Sequence, residues 1–556
     1  MTADAHTIQP SSNAFRRAGD ALARLSITYG GILVPLSITA AAGFIRFWRL
    51  GHPHSIIPLD ETYYAPNAFG FACHGTDMAF KANAPHTCDG LEPVFVVHPP
   101  VGKLMIALGL KIFGYRPFGW RFSSALVGAL CVLLVYLIGR RLWEKRWPAA
   151  AAAILLGVEG LHFVQSRIAM LDIFVCFFIL LGVWLMLEDR ARAPTWTGLR
   201  WWRLGSGVAF GLALASKWSA LFLLPVVAAV MLAWEVVRIA PVSWRPFARR
   251  KRRAEDLDNG GVFAGQPADI AEAIGDVPKR PRRDRVWFQV LAIAGTFVIV
   301  PLATYMASYT SWFLSSKKYV PPRCNNVVVH DGVSKAVPKT GLALWICDQK
   351  EIADYHRNLK STDADGNPIH PYMSKAWSWP WISRPASHYY MRYCAPSGQA
   401  QPCKAGQELR DEEVLGLPNP LIWWTGFFVA LPACLFWIVK RDEVAGLLVI
   451  LLAPLVLPWF VTTRPLFMFY MTPASPFIVL MVVHALQKWR LRWTAVWFVA
   501  LAIALFGYFY PVLAAYPIPS TGTFGWTSRI WFGHGRMFNK VLGDCTTKGV
   551  KILCWI

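Results

Sequence analysis

Two apolar runs, Leu447–Val461 and Trp497–Phe506, contain no charged residue, and several others approach the roughly 20 residues a helix needs to cross a bilayer. Across 556 residues, 55% are hydrophobic and only 16% charged, where soluble domains carry about a quarter charged. Lipid is therefore the expected solvent, and the chain reads as an all-α polytopic membrane protein built mostly as one bundle. The net charge of +23 would suggest nucleic acid in a soluble chain, but its distribution argues against that partner. Basic residues gather in short tracts between apolar runs: Arg140 to Arg146, Arg190 to Arg203, Arg245 to Arg253 with Lys279 to Arg285, Lys440–Arg441, and Lys488 to Arg492. This is the positive-inside pattern of a membrane protein, with some attraction to anionic lipid of the bilayer.

Residues 1–24 are polar and read as a cytoplasmic tail. The apolar stretch after them is too long for a secretory signal and lacks a small-residue cleavage site. With the amino terminus inside, about eleven spans fall near 25–48, 118–139, 147–164, 168–187, 204–216, 219–238, 286–309, 419–439, 444–462, 466–486 and 493–513. Every basic tract then lies inside. The transmembrane bundle is expected over 25–513, with external loops at 49–117 and 310–418, a basic cytoplasmic loop at 239–285, and an external tail at 514–556. Amphipathic stretches Tyr63–Phe71 and Val101–Phe113 belong to the first external loop. Cysteine supplies an independent check. Cys131, Cys176 and Cys434 sit within spans, whereas Cys73, Cys88, Cys324, Cys347, Cys394, Cys403, Cys545 and Cys554 fall in local pairs within external segments. That suits disulfides in an oxidising compartment and places the protein in the plasma membrane with its carboxyl terminus outside.

The chemistry concentrates on the outer face. Asp60-Glu61 lies just beyond the first span, and His98-Pro99-Pro100-Val101-Gly102-Lys103 closes the same loop. Alone, an acidic pair before an apolar run marks a helix amino terminus, and two prolines mark a helix start. The company changes the reading. Arg121, Arg167, Lys217 and Arg464 all reach the outer face within apolar surroundings, although the basic bias is inward. One such cation usually snorkels or pairs locally. Four beside two carboxylates describe an anion site with an acid/base partner, and intramembrane charges are costly enough to imply function.

Phosphate suits the cations, and a carboxylate suits activation of a hydroxyl. A polyprenyl-phosphate sugar meets both needs. No dedicated ligand set is present, so no metal is expected to be required, with Mg²⁺ or Mn²⁺ recruited by phosphate and carboxylates as the alternative.

The motifs Asp60-Glu61, His98 to Lys103, Phe118-Gly119-Trp120-Arg121 and Gln165-Ser166-Arg167-Ile168-Ala169-Met170-Leu171-Asp172 resemble the protein O-mannosyltransferase family. The likeness is strongest over 45–220, and Arg464 with Phe467–Tyr470 echoes it later. The resemblance implies a lipid-donor (GT-C) glycosyltransferase that uses polyprenyl-phosphate mannose and acts on Ser or Thr of secreted or membrane proteins, with inversion at the sugar. It implies Asp60 as catalytic base, with Glu61 supporting it or binding acceptor. Arg121, Arg167, Lys217 and Arg464 are the expected donor-phosphate ligands, and Tyr63, His98 and Asp172 the expected substrate-positioning residues. Segment 310–418 is too short for the β-trefoil of eukaryotic members, which favours a bacterial, actinobacterial-type member. A translocon partner follows by analogy. The competing readings are a GT-C enzyme moving another polyprenyl-linked sugar to lipid or polysaccharide, and a transporter. The transporter reading lacks the internal repeats expected of it.

Overall fold

The computed structural model describes residues 31–58, 60–95, 97–192, 200–239, 283–315, 324–330, 333–365, 368–400, 402–532 and 555. The tail 1–24, most of the basic loop 239–285, and Cys545 with Cys554 lie outside them.

Among the described residues six helices are long and apolar enough to cross a membrane: Pro117–Trp143, Trp218–Val237, Trp287–Ser315, Pro420–Val439, Glu443–Phe460 and Arg492–Leu513. Pro117 opens the first of them at a position whose N–H would have no helical partner. That helix is the hub, with 72% of its apolar window buried, against 22% for Trp287–Ser315 and 28% for Arg492–Leu513. The rim helices turn Leu291, Trp493 and Trp497 outward, as apolar side chains do where lipid is the neighbour. Gly31–Phe47 and Ser475–Lys488 are shorter apolar helices.

Several of the eleven expected spans are interrupted. The segment 147–164 is two helices, Arg146–Gly157 and Gly160–Gln165, because Glu159 caps the second, accepting from Leu161 N at 3.3 Å and His162 N at 2.7 Å. The segment 466–486 begins as a 3₁₀ turn at Met468–Met471 and becomes α-helical only at Ser475.

The expected amphipathic stretches fold as helices Glu61–His74 and Val101–Phe113. Gly75 ends the first at φ +74°, a left-handed conformation that suits glycine. Gly102 lets the second approach the bundle, because a Cβ there would meet Leu171 Cδ2 at 2.6 Å.

The all-α expectation missed a small β layer. Within 310–418, strands Asn325–His330 and Val333–Pro338 form an antiparallel hairpin, and helix Gly341–Asn358 follows. Strands Ser387–Ala395 and Glu408–Leu415 pair antiparallel, and Ile518–Pro519 adds a third strand from the distant tail. Buried Asp411 ties the sheet together, accepting from Tyr390 Oη at 2.8 Å and Arg392 Nε at 2.7 Å. Among the described residues three local cysteine pairs are bonded: Cys73–Cys88, Cys324–Cys347 and Cys394–Cys403. At the chain's end, buried Trp555 stacks on Trp531 at 5.8 Å.

Candidate active site

The start of helix Glu61–His74 divides two neighbouring carboxylates. Glu61 is 1% exposed and saturated: it accepts from Ile57 N at 2.7 Å, Ala169 N at 3.0 Å, and Arg121 Nε and Nη2 at 3.0 and 2.8 Å. Arg121 is equally committed. Its remaining donors reach the carbonyls of Leu50, Pro53 and Ser55 at 3.3, 2.9 and 2.9 Å. Two buried charges in low dielectric persist only with such complete pairing. This corrects the expectation for both residues: Arg121 has no donor left for a phosphate, and Glu61 has no oxygen free for an acceptor. Arg167 is engaged through its two terminal nitrogens. It donates to the carbonyls of Ile45, Arg46, Trp48 and Arg49 at 2.7–3.3 Å, satisfying the end of helix Gly31–Phe47 rather than facing a ligand.

Asp60 differs. It is part-exposed, and its carboxylate makes no hydrogen bond among the described residues. Burial pushes its pKa up to about 6, with the Asp172 charge reinforcing this and Lys217 and Arg464 opposing it. These neighbours form the second cluster. Lys217 lies at the break between helix Trp201–Leu214 and the next span, and grips Asp172 at 3.0 and 2.9 Å. Its ammonium also sits 4.6 Å from the Tyr470 ring. Burial works against that charge, but Asp172, Tyr470 and Asp60 more than offset it and raise the pKa. Arg464 is only half-buried; its Nη2 reaches Tyr470 Oη at 3.5 Å, Nη1 contacts His356 Nδ1 at 3.3 Å, and buried Nε has no partner among the described residues. His98 stands beside this group with its Nδ1 likewise unpartnered, and burial holds its pKa well below the usual histidine value.

Tyr63 does not join them. It is 66% exposed, and its neighbour Tyr64, at 5%, faces the cluster instead, feeling the charges of Asp60 and Asp172. One residue along a helix turns a side chain by about 100°, so Tyr63 points away from the cluster that Tyr64 faces. Sequence reasoning also missed Tyr470 and His356. Tyr470 lay within the quoted Phe467–Tyr470 run, whereas nothing local marks His356.

Arg464 also lines a cavity of about 420 Å³ beside the end of helix Glu443–Phe460. Met373, Trp377 and Trp459 give it apolar walls, Lys375 and Arg384 add positive charge, and no carboxylate lines it among the described residues. Among the described residues one group has metal-ligating composition, Cys131 with His162 and Cys176. It includes none of the residues around Asp60.

Residues 116–313 match the family model of dolichyl-phosphate-mannose-protein mannosyltransferase. The polyprenol-phosphate-mannose–protein mannosyltransferase of Mycolicibacterium smegmatis is 31% identical, with 90% of this chain and 92% of that protein covered. The Mycobacterium tuberculosis protein of the same name is 30% identical over 91% and 92%. The Saccharomyces cerevisiae Pmt1–Pmt2 protein O-mannosyltransferase complex bound to its sugar donor superposes with a TM-score of 0.60 at 15% identity, covering 87% of this chain and 90% of that one, a likeness of fold. A multi-pass helical bundle, a carboxylate beside two cations, and relatives matched over nearly their full length converge: the chain belongs to the protein mannosyltransferase family.

Proposed function

We propose that this protein transfers mannose from polyprenyl-phosphate mannose to Ser or Thr hydroxyls of protein acceptors, with Asp60 as the general base. The observation that carries the assignment is the uncommitted Asp60 carboxylate beside two cations, Lys217 and Arg464. In the step, the acceptor oxygen forms a bond to the anomeric carbon while its proton passes to Asp60. The bond from that carbon to the phosphate oxygen breaks, and polyprenyl phosphate leaves with the electron pair. A single displacement of this kind inverts the anomeric centre. Lys217 and Arg464 receive the charge that develops on the departing phosphate, an advantage that is large where water is excluded. Asp172 keeps Lys217 charged and in place.

The cavity beside Arg464 supports this reading. Its apolar walls and positive rim, free of carboxylates, suit an amphipathic anion such as a polyprenyl phosphate. The disulfides Cys73–Cys88, Cys324–Cys347 and Cys394–Cys403 lie in the segments around the site and support an extracytoplasmic, oxidising location for it.

The test uses membranes containing the full chain, radiolabelled polyprenyl-phosphate mannose and a Ser/Thr-rich peptide. Label should move to the peptide, and Asp60→Asn should lower transfer by about 10²–10⁴-fold while leaving expression intact. Full transfer by that variant removes Asp60 from the mechanism. Label that stays on the lipid with well-inserted parent protein overturns the assigned reaction.

A further inference from the structure

Helix Gly341–Asn358 lies within the 310–418 segment, and both neighbouring parts of the molecule hold it. The Cys324–Cys347 disulfide tethers it, and Gln349 Oε1 accepts from Tyr305 Oη at 2.5 Å, anchoring it to the membrane helix Trp287–Ser315. On the other side its Asp348 carboxyl feels Asp77 and Lys103, and Lys103 in turn bonds Asp77 at 2.5 Å and the His98 carbonyl at 2.8 Å. The helix therefore delivers its last turn to the His98 loop in a fixed register.

His356 occupies that turn. Its Nε2 lies 3.0 Å from the Val97 carbonyl oxygen, which can only accept, so Nε2 carries the proton. In the neutral ring Nδ1 is then a lone pair, and it faces Arg464 Nη1 at 3.3 Å as an acceptor. The ring is packed against His98 at 5.3 Å and Trp218 at 6.0 Å, which fixes its plane. Protonation would turn Nδ1 into a donor aimed at a guanidinium. Burial and the Arg464 charge oppose that and lower the pKa to about 4. Arg464 therefore has one nitrogen held by His356 and another near Tyr470, while Nε is unspent.

We infer that His356 is a positioning residue of the transfer reaction: its Nδ1 lone pair orients the Arg464 guanidinium toward the donor phosphate. The large loop thereby contributes to donor binding as well as covering the site. This rests on the reading of Arg464 as a phosphate ligand given above, and the experiment separates the two.

Two substitutions divide the imidazole's roles. His356→Gln places its amide nitrogen where Nε2 stood and keeps the donation to Val97, while its carbonyl oxygen no longer occupies the Nδ1 position that faces Arg464. His356→Asn places its carbonyl oxygen near Nδ1 and keeps that acceptor but releases Val97. With the purified full-length protein and saturating peptide, His356→Gln should raise the KM for polyprenyl-phosphate mannose about five- to tenfold, the scale of one lost hydrogen bond. His356→Asn should restore it to within about twofold. The peptide KM and the melting temperature should be unmoved in both. A role confined to anchoring the loop gives the reverse order, with Asn the worse variant, and that result overturns the inference, as would equal effects of the two. Arg464→Met is the control. If it raises the donor KM while His356→Gln does not, the inference alone fails. If Arg464→Met leaves the donor KM unchanged, the phosphate-binding reading of Arg464 fails and the inference with it.

Discussion

Two charged clusters, one around Glu61 and Arg121 and one around Asp60, Lys217 and Arg464, use the same residue types and begin on adjacent residues of the chain. In the first, Glu61 and Arg121 occupy each other and the surrounding backbone, joining the 50–57 loop, the hub helix Pro117–Trp143 and the turn at Ala169. In the second, the Asp60 carboxylate and the Arg464 Nε remain uncommitted among the described residues, and a cavity opens beside Arg464. Buried charge is costly in both places. The first offsets that cost with protein partners alone and becomes scaffold. The second leaves polar capacity unfilled, and that spare capacity is what a phosphate and a hydroxyl can use.

The sharpest way to break this distinction is Arg121→Met. Removing one partner strands Glu61 as a buried, uncompensated charge, and such changes cost about 3–5 kcal/mol. Melting in detergent should show a large drop for Arg121→Met and a small one for Arg464→Met, which is half-buried. Equal drops would erase the difference between the clusters. A smaller effect is expected from pH. With Asp60 as the proposed base and burial raising its pKa to about 6, transfer should plateau above that value and fall about tenfold per pH unit below it. A flat profile from about pH 5 to about pH 8 would assign the base elsewhere. The smallest effect should come from Tyr63→Ala. Its side chain is exposed, so activity should stay within about twofold and stability within about 0.5 kcal/mol. A tenfold loss in that variant would return Tyr63 to the site.

What the sequence made legible was local. Helix Val101–Phe113 and the hub helix follow from apolar runs opened by proline, and the three bonded cysteine pairs join residues 9 to 23 positions apart. The motifs together with the outer-face cations singled out Asp60, Lys217, Asp172 and Arg464, and the structure brings these four into one electrostatic neighbourhood. Hydrogen-bond saturation was not legible, because it is settled at long range. Arg121 spends its donors on carbonyls about 70 positions earlier, and Arg167 on carbonyls about 120 positions earlier. In sequence those arginines look the same as Arg464. The choice of Tyr64 over Tyr63 depends on which helix face meets the bundle, which periodicity alone did not decide in so short an element. The β layer escaped notice because its third strand, Ile518–Pro519, is two residues long and arrives from the far end of the chain.

The central claim is that adjacent carboxylates do different jobs, and one paired measurement tests it most directly: transfer rate and melting temperature for Asp60→Asn and Glu61→Gln, side by side. The account predicts that Asp60→Asn melts like the parent and loses about 10²–10⁴-fold in rate, whereas Glu61→Gln melts well below the parent. The Glu61→Gln molecules that remain folded should still transfer mannose. A Glu61→Gln protein as stable as the parent but inactive, together with an active Asp60→Asn, would contradict it.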